Sequence, residues 1–295
     1  MSGEKSTEQQ TDLRRRIFQI ARLGALPQVM SELLEILADD EADLSHVDEI
    51  IHSDLALASK VLGLANSAYY GAPREITSIS RALVTIGLNE LQLLALGTGL
   101  AEVFDLRGLP RGFDGEALWT HCMSVSWLSR ELAERAGYNR PEEVMFAGFV
   151  HDLGKLVLAT QLPDELGAVL DLVGTGVPYH QAERELGLEH EVIGYWLAKR
   201  WGLPEIHISA IRNHHRPGCG GPHAVSTGLV SLANEIVKMV GYDLYGDGSP
   251  EVLADALAAS GLSQRIYDEM VEAARARIPS MVETWNRLLV CGGAI

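Results

Sequence analysis

Four prolines, Pro141, Pro163, Pro178 and Pro204, each stand where a stretch with helical apolar spacing begins. Proline has no N–H and a fixed φ, which a first helical turn tolerates and a helix interior does not. These positions therefore mark helix starts, and the spacing predicts helices over 141–152, 163–173, 178–185 and 204–214, with others over 114–136 and 189–201. Upstream, Val29, Leu33, Leu34, Ile36 and Leu37 share a face, Leu44–Ile51 forms a second short helix with Ser45 as N-cap, and Asp54 opens a third that runs to Ala65. Asn66 to Pro73 is loop chemistry, followed by helices over 78–86 and 88–104 separated at Gly87. Downstream, Leu229, Leu232, Ala233, Ile236 and Val237 mark another helix, and Ser249-Pro250 begins two or three more, with Trp285, Leu288 and Leu289 as a docking face. No run alternates cleanly enough to require a strand, so the expected class is all-α.

Two glycines and a proline in Arg107-Gly108-Leu109-Pro110-Arg111-Gly112 form the best boundary. The chain reads as a polar flexible N-terminus (1–16), an N-terminal helical subdomain (17–108), a second helical subdomain (112–245) and C-terminal helices that pack on the core (249–295).

With 295 residues, 47% of them hydrophobic, the chain can bury one large core or two smaller ones. The net charge of −16 and the lack of a basic run interleaved with aromatics argue against nucleic acid as a direct partner. A helix-turn-helix over Leu55 to Leu83 is disfavoured too, because Asn66 to Thr77 is too long for its turn. The stretch Leu91 to Phe104 is too short and too interrupted to cross a bilayer, and residues 1–16 carry no apolar signal segment, so a cytoplasmic protein without membrane contact is expected. Cys122, Cys219 and Cys291 show neither disulfide nor zinc-knuckle spacing.

Metal-type side chains enter in four pieces: His121, the pair His151-Asp152, His190, and the pair His214-His215. Each lies in or beside a helical stretch, the layout of a metal site assembled inside a helix bundle. Both pairs close apolar segments, where an imidazole or carboxylate needs a partner because burying it alone costs several kcal/mol. A shared ion would satisfy them together; a metal-free polar network is the competing reading. The remaining histidines, His46, His52, His180, His207 and His223, read as solvent-facing or capping residues, and Trp119, Trp127, Trp196 and Trp201 as core anchors. Asn66, Ser67, Tyr69 and Tyr70 read equally as a partner-binding surface and as a structured loop that locks the N-terminal bundle.

The string Phe149-Val150-His151-Asp152-Leu153-Gly154-Lys155, with His121 upstream and His214-His215 downstream, resembles the HD superfamily of metal-dependent phosphohydrolases. Leu26-Pro27, Asp54-Leu55, the run Val61 to Gly71 and the run Ile79 to Gly87 resemble its HDOD branch, so that the likeness spans roughly residues 18–240. The resemblance implies an N-terminal helical bundle packed on an HD-like helical core. It further implies a bacterial regulatory or signalling module that acts with a protein partner such as a sensor kinase, a response regulator or a cyclic-dinucleotide enzyme, with a nucleotide as a further possible ligand.

By position, His121, His151, Asp152, His190, His214 and His215 match the ligand set of the related HD-GYP branch, whose centre is dinuclear. Asp152 would bridge, because a carboxylate has two oxygens to give, and Lys155, one turn past His151, would contact a phosphoryl oxygen or Asp152. These two are the catalytic candidates. Two carboxylates of the pattern are absent: Ala117 stands one turn before His121, and Asn234, a weaker ligand, replaces the final aspartate. Arg216-Pro217-Gly218-Cys219-Gly220-Gly221-Pro222 stands in place of a GYP-type loop. One or two ions of iron, manganese, zinc or nickel fit such imidazole-rich ligands. The expected function is signalling with little or no hydrolysis; the alternative is a metal-dependent phosphohydrolase acting on a nucleotide or cyclic dinucleotide.

Overall fold

The computed structural model describes residues 15, 51, 55–67, 70, 71, 74–87, 91, 94, 109–246 and 248–290. Every regular element among them is helical: α1 (Leu55–Ala65), α2 (Ile79–Ile86), α3 (Gly115–Arg135), α4 (Pro141–Val150), α5 (Leu153–Gln161), α6 (Pro163–Gly174), α7 (Tyr179–Leu186), α8 (His190–Trp201), α9 (Glu205–Asn213), α10 (Ala224–Met239), α11 (Pro250–Ser260) and α12 (Gln264–Val290). The all-α expectation therefore holds. The helices expected over 29–37, 44–51 and 88–104 lie outside the described residues apart from single positions. No described helix is long and apolar enough to cross a membrane.

Proline punctuation acts as the sequence suggests. Pro141 and Pro163 are the first residues of α4 and α6, whereas Pro178 and Pro204 occupy the N-cap positions of α7 and α9. One helix was not anticipated. The chain breaks after Val150 and restarts at Leu153 to form α5, with Asp152 at its N-cap in a non-helical conformation (φ −97°, ψ 16°).

The chain divides into two compact units, Met1–Ala25 with Leu106–Ala276, and Leu26–Asp105 with Arg277–Ile295. In the second unit, α1 buries Leu57, Val61, Leu64 and Ala65 and α2 buries Ile79, Ala82, Leu83 and Ile86, each on one helical face. Asn66 fixes the connection between them: its amide donates to the carbonyls of Leu62 (2.9 Å) and Ile76 (2.8 Å) and accepts the Ile76 N–H (2.7 Å). Ser78 caps α2 by accepting from the Arg81 N–H.

In the first unit, α3 packs on α4 and α10, α4 on α9, α5 on α8, α8 on α9, and α10 on α11. Small residues set the closest crossings. A Cβ on Gly148 would meet the Ser129 side chain and the Val125 carbonyl, and one on Gly154 would land on the His190 carbonyl. Phe146, Ile211 and Leu229 are completely buried here, each contributing about 1.5–3 kcal/mol by leaving water.

His207 departs from its expected solvent-facing role. It shares the inner face of α9 with Ala210 and Ile211, is 4% exposed, and stands edge-on to the Phe146 ring at 4.5 Å. Burial pushes its imidazole down to about 3, so it folds neutral. The unfolded chain takes up that proton near pH 6.5, so this residue removes stability as pH falls from about 6.5 toward 3, at up to about 1.4 kcal/mol per pH unit. Relative to the parent chain, His207→Leu should gain stability by about 1 kcal/mol per unit between pH 6 and 4 in chelator-treated denaturant unfolding; parallel pH profiles would contradict this.

Candidate metal centre

The break between α4 and α5 is what makes a site possible. Along a continuous helix, neighbours point about 100° apart. Here His151 is the last cap of α4 and Asp152 the first of α5, and both side chains are buried and face each other, with His151 Nε2 3.4 Å from Asp152 Oδ2. The crossing of α5 and α8 at Gly154 and Gly194 then brings His190, the first residue of α8, against Asp152: His190 Nε2 lies 3.3 Å from Oδ1. His121 enters from mid-α3, and His214 and His215 follow the end of α9.

All six side chains expected in the site thus come together. His121 Nε2 is 3.4 Å from His151 Nε2 and 3.6 Å from Asp152 Oδ2. On the other side, His190 Nε2 is 3.2 Å from His214 Nε2 and 3.3 Å from His215 Nε2, and His214 Nε2 is 3.7 Å from Asp152 Oδ1. Two donor groups result, His121/His151/Asp152 Oδ2 and His190/His214/His215/Asp152 Oδ1, joined through one carboxylate. Five of the six residues are at most 1% exposed; only His215 is half-buried.

The second ring nitrogens explain which atoms are available. His121 Nδ1 donates to the Tyr242 carbonyl (2.8 Å), His151 Nδ1 to the Gly148 carbonyl (2.7 Å) and His214 Nδ1 to the carbonyls of Ala210 and Ile211. His190 Nδ1 donates to Glu183 Oε2 at 2.7 Å. A carbonyl or carboxylate can only accept, so the proton of each neutral ring sits on Nδ1 and the lone pair of Nε2 points into the cluster.

Charge alone does not resolve this crowding of lone pairs. Burial drives the imidazole of His121 down to about 3 and those of His214 and His215 well below the ordinary histidine range, the neighbouring histidines adding to the effect. His190 is the exception: burial opposes its cation, but the Glu183 carboxylate lifts it to about 10. Burial likewise opposes ionisation of Asp152, yet His151 and Lys155 hold its carboxyl well below the carboxylate range. Among the described residues Asp152 Oδ1 still has no hydrogen-bond partner.

A cation fits this arrangement. Four ligands at the usual zinc distance of about 2.0–2.1 Å in a tetrahedron stand about 3.3–3.4 Å from one another, the spacing seen between these nitrogens and oxygens. Imidazoles with one carboxylate suit a divalent transition metal rather than a hard cation that prefers all-oxygen ligands. Iron, manganese, zinc and nickel all meet that requirement.

Other expected residues fall as follows. Lys155 is 3% exposed and donates through Nζ to Asp152 Oδ2 at 2.8 Å. Asn234 is buried on α10, its Oδ1 without a hydrogen-bond partner among the described residues. Ala117 is half-buried on α3 and Glu116 is exposed. Asn66 holds the backbone of its own loop, Ser67 and Tyr70 lie half-buried beside it, and Tyr69 is outside the described residues.

Glu183 is the participant that sequence reading missed. It is fully buried on α7, and it orients His190 as a carboxylate orients a metal-bound histidine. A signal was present, since Tyr179, Ala182, Glu183 and Leu186 follow helical i, i+3, i+4, i+7 spacing and so put a carboxylate on an apolar face. His180, one residue from Tyr179, lies half-buried with its ring 6.5 Å from that of His215.

Known proteins share sequence or fold with this chain. An uncharacterized protein of Treponema pallidum (strain Nichols) is 30% identical over 230 residues, covering 74% of this chain; the chain spans only 43% of that protein's length. Among solved structures, an HDOD domain protein of unknown function from Geobacter sulfurreducens is 25% identical with a TM-score of 0.78, covering 94% of this chain and 98% of its own. A Marinobacter aquaeolei VT8 protein named for signal transduction shares the fold at 21% identity and a TM-score of 0.80, covering all of this chain and 66% of its own. The model of the HDOD domain family matches residues 23–217, about two thirds of the sequence, and the chain therefore belongs to the HDOD domain family.

Proposed function

We propose that this chain is a regulatory HDOD module of a bacterial signalling pathway. In this reading it works in the cytoplasm, holds a divalent transition metal within the cluster of His121, His151, Asp152, His190, His214 and His215, and acts through a protein partner with little or no hydrolase activity. The observation that carries the reading is the closure of the donor set. A hydrolytic site keeps a coordination position open to water and substrate, whereas a structural site is filled by protein and sealed. Here five of six donor residues are at most 1% exposed, and the carboxylates absent at Ala117 and Asn234 leave the cluster with a single first-line anion. Two-metal hydrolysis requires a pair of ions that clamp both the attacking and the leaving oxygen. When bound, an ion in the sealed cluster would supply cross-linking between helices that enter it, α5, α8 and the end of α9 among them. The −16 net charge supports a partner other than nucleic acid.

The second reading, a phosphohydrolase acting on a nucleotide or cyclic dinucleotide, is favoured by one feature: the two oxygens of Asp152 face separate donor groups, as a dinuclear centre needs. The two readings part in one assay. With cyclic and linear nucleotides and with Mn, Fe, Ni or Mg supplied, the expected turnover is no greater than that of an Asp152→Asn variant. Hydrolysis that Asp152→Asn abolishes would overturn the regulatory reading.

A further inference from the structure

The two halves of the centre sit in opposite electrostatic surroundings. Behind the His190 half lies Glu183, fully buried, its Oε2 on His190 Nδ1 at 2.7 Å and its Oε1 without a hydrogen-bond partner among the described residues. Glu191 Oε2 adds a second carboxylate 3.7 Å from the same ring nitrogen. Beside the His121 half lies an ammonium group. Lys155 Nζ sits 2.8 Å from Asp152 Oδ2, the one anionic oxygen that half possesses, and is enclosed on another side by the Tyr179 ring at 5.4 Å.

Donor number points the same way. The His190 half has three imidazoles and Asp152 Oδ1; the His121 half has two imidazoles and an oxygen already engaged by Lys155. Glu183, His190 and Glu191 also lie close enough to suggest an ion of their own, but the direct hydrogen bond from His190 to Glu183 fills that space.

Building on the metal reading, we infer that Glu183 and Lys155 make the centre mononuclear: Glu183 fixes one tight ion on His190, His214, His215 and Asp152 Oδ1, and the Lys155 ammonium takes the place of a second ion at His121 and His151. Glu183 is a positioning residue. It holds the imidazole of His190 in the tautomer that presents Nε2, and its negative charge strengthens that nitrogen as a donor, an effect that reaches 10–100-fold in metal affinity at other metal sites. Lys155 acts by like-charge repulsion, and by occupying the lone pair of Oδ2 that a second ion would need. Its role is thereby exclusion of an ion, not contact with a substrate. This also accounts for a buried lysine in a cluster of cation ligands, where its charge would otherwise compete with the metal to no purpose.

Cobalt(II) titrated into metal-free, full-length chain tests both residues, read by d–d absorption and by bound metal per chain after desalting. The parent should bind one ion tightly. Glu183→Gln keeps the side-chain shape and an oxygen acceptor for Nδ1–H but loses the charge; it should weaken the first ion about 10–100-fold and shift the absorption bands. Lys155→Met, which keeps the apolar stem, should bind a second ion at least about tenfold more tightly than the parent does. Thermal unfolding of the metal-free variants identifies any that fail to fold, and Glu183→Asp and Lys155→Leu then serve in their place. Two ions of equal affinity in the parent, or a parent-like titration in both variants, would overturn the inference while leaving the metal reading in place. A parent chain that binds no ion would overturn both.

Discussion

Asp152→Ala should leave the protein metal-free and should lower its stability by about 3–5 kcal/mol even before metal is considered. Asp152 is the one residue that both donor groups share, its Oδ2 facing His121 and His151 and its Oδ1 facing His190 and His214. Removing it takes one ligand from each half at once. It also strands Lys155, which is 3% exposed and bonded through Nζ to Oδ2. Breaking one side of a buried ion pair leaves a charge with no compensation, and that cost exceeds the pair's own net contribution. Denaturant unfolding in chelator separates the second effect from the first. The double variant Asp152→Ala/Lys155→Met should recover much of the stability without recovering metal. If Asp152→Ala alone unfolded like the parent, the buried pair would not have the energetic role assigned to it.

Gly154→Ala should be the most damaging single-carbon change in the first unit, at about 3 kcal/mol or more. Its Cβ would fall on the His190 carbonyl, and the Gly194 N–H lies 2.9 Å from the same point. These are backbone atoms, which cannot rotate aside as a side-chain end can, so α5 and α8 would have to separate. Because that crossing sets the 3.3 Å approach of His190 to Asp152, metal affinity should fall together with stability. Gly167→Ala on α6 is the control. A Cβ there meets nothing within 4 Å, and alanine in a helix interior is favoured over glycine by about 0.5–1 kcal/mol, so this variant should be as stable as the parent or more so. Equal behaviour of the two variants would refute the crossing as the element that builds the site.

These two sites also show what could and could not be read from residue order. Proline at helix starts and 3.6-residue periodicity made the class and most helix limits in the first unit legible, as with 114–136 against the observed Gly115–Arg135. Helix α5 was lost because it opens with a glycine in its first turn and no hydrogen-bonding cap, and because it follows α4 with no loop between. That same missing loop turns His151 and Asp152 toward one point. The six metal-type residues were visible by type and spacing, but the direction of each ring nitrogen was not, because it depends on carbonyls supplied by other elements, such as Tyr242 for His121. Glu183 goes unread and His207 reads as solvent-facing for a common reason. Polar residues in short helices read as surface unless the apolar neighbours sharing their face are counted, Tyr179 and Ala182 for one, Ala210 and Ile211 for the other. For Lys155 residue order leaves both a phosphoryl oxygen and Asp152 open as partners, and the structure shows the hydrogen bond to Asp152 Oδ2.

Whether the cluster built from the α4–α5 junction, α8 and the end of α9, with His121 of α3 beside it, holds a metal ion is decided by elemental analysis. The chain and its His214→Ala variant would be purified without chelator, in air and anaerobically, and metal per chain measured in each. Close to one equivalent of a transition metal in the parent and almost none in His214→Ala is the predicted result. Equal metal in both proteins, or none in the parent under either condition, would contradict it.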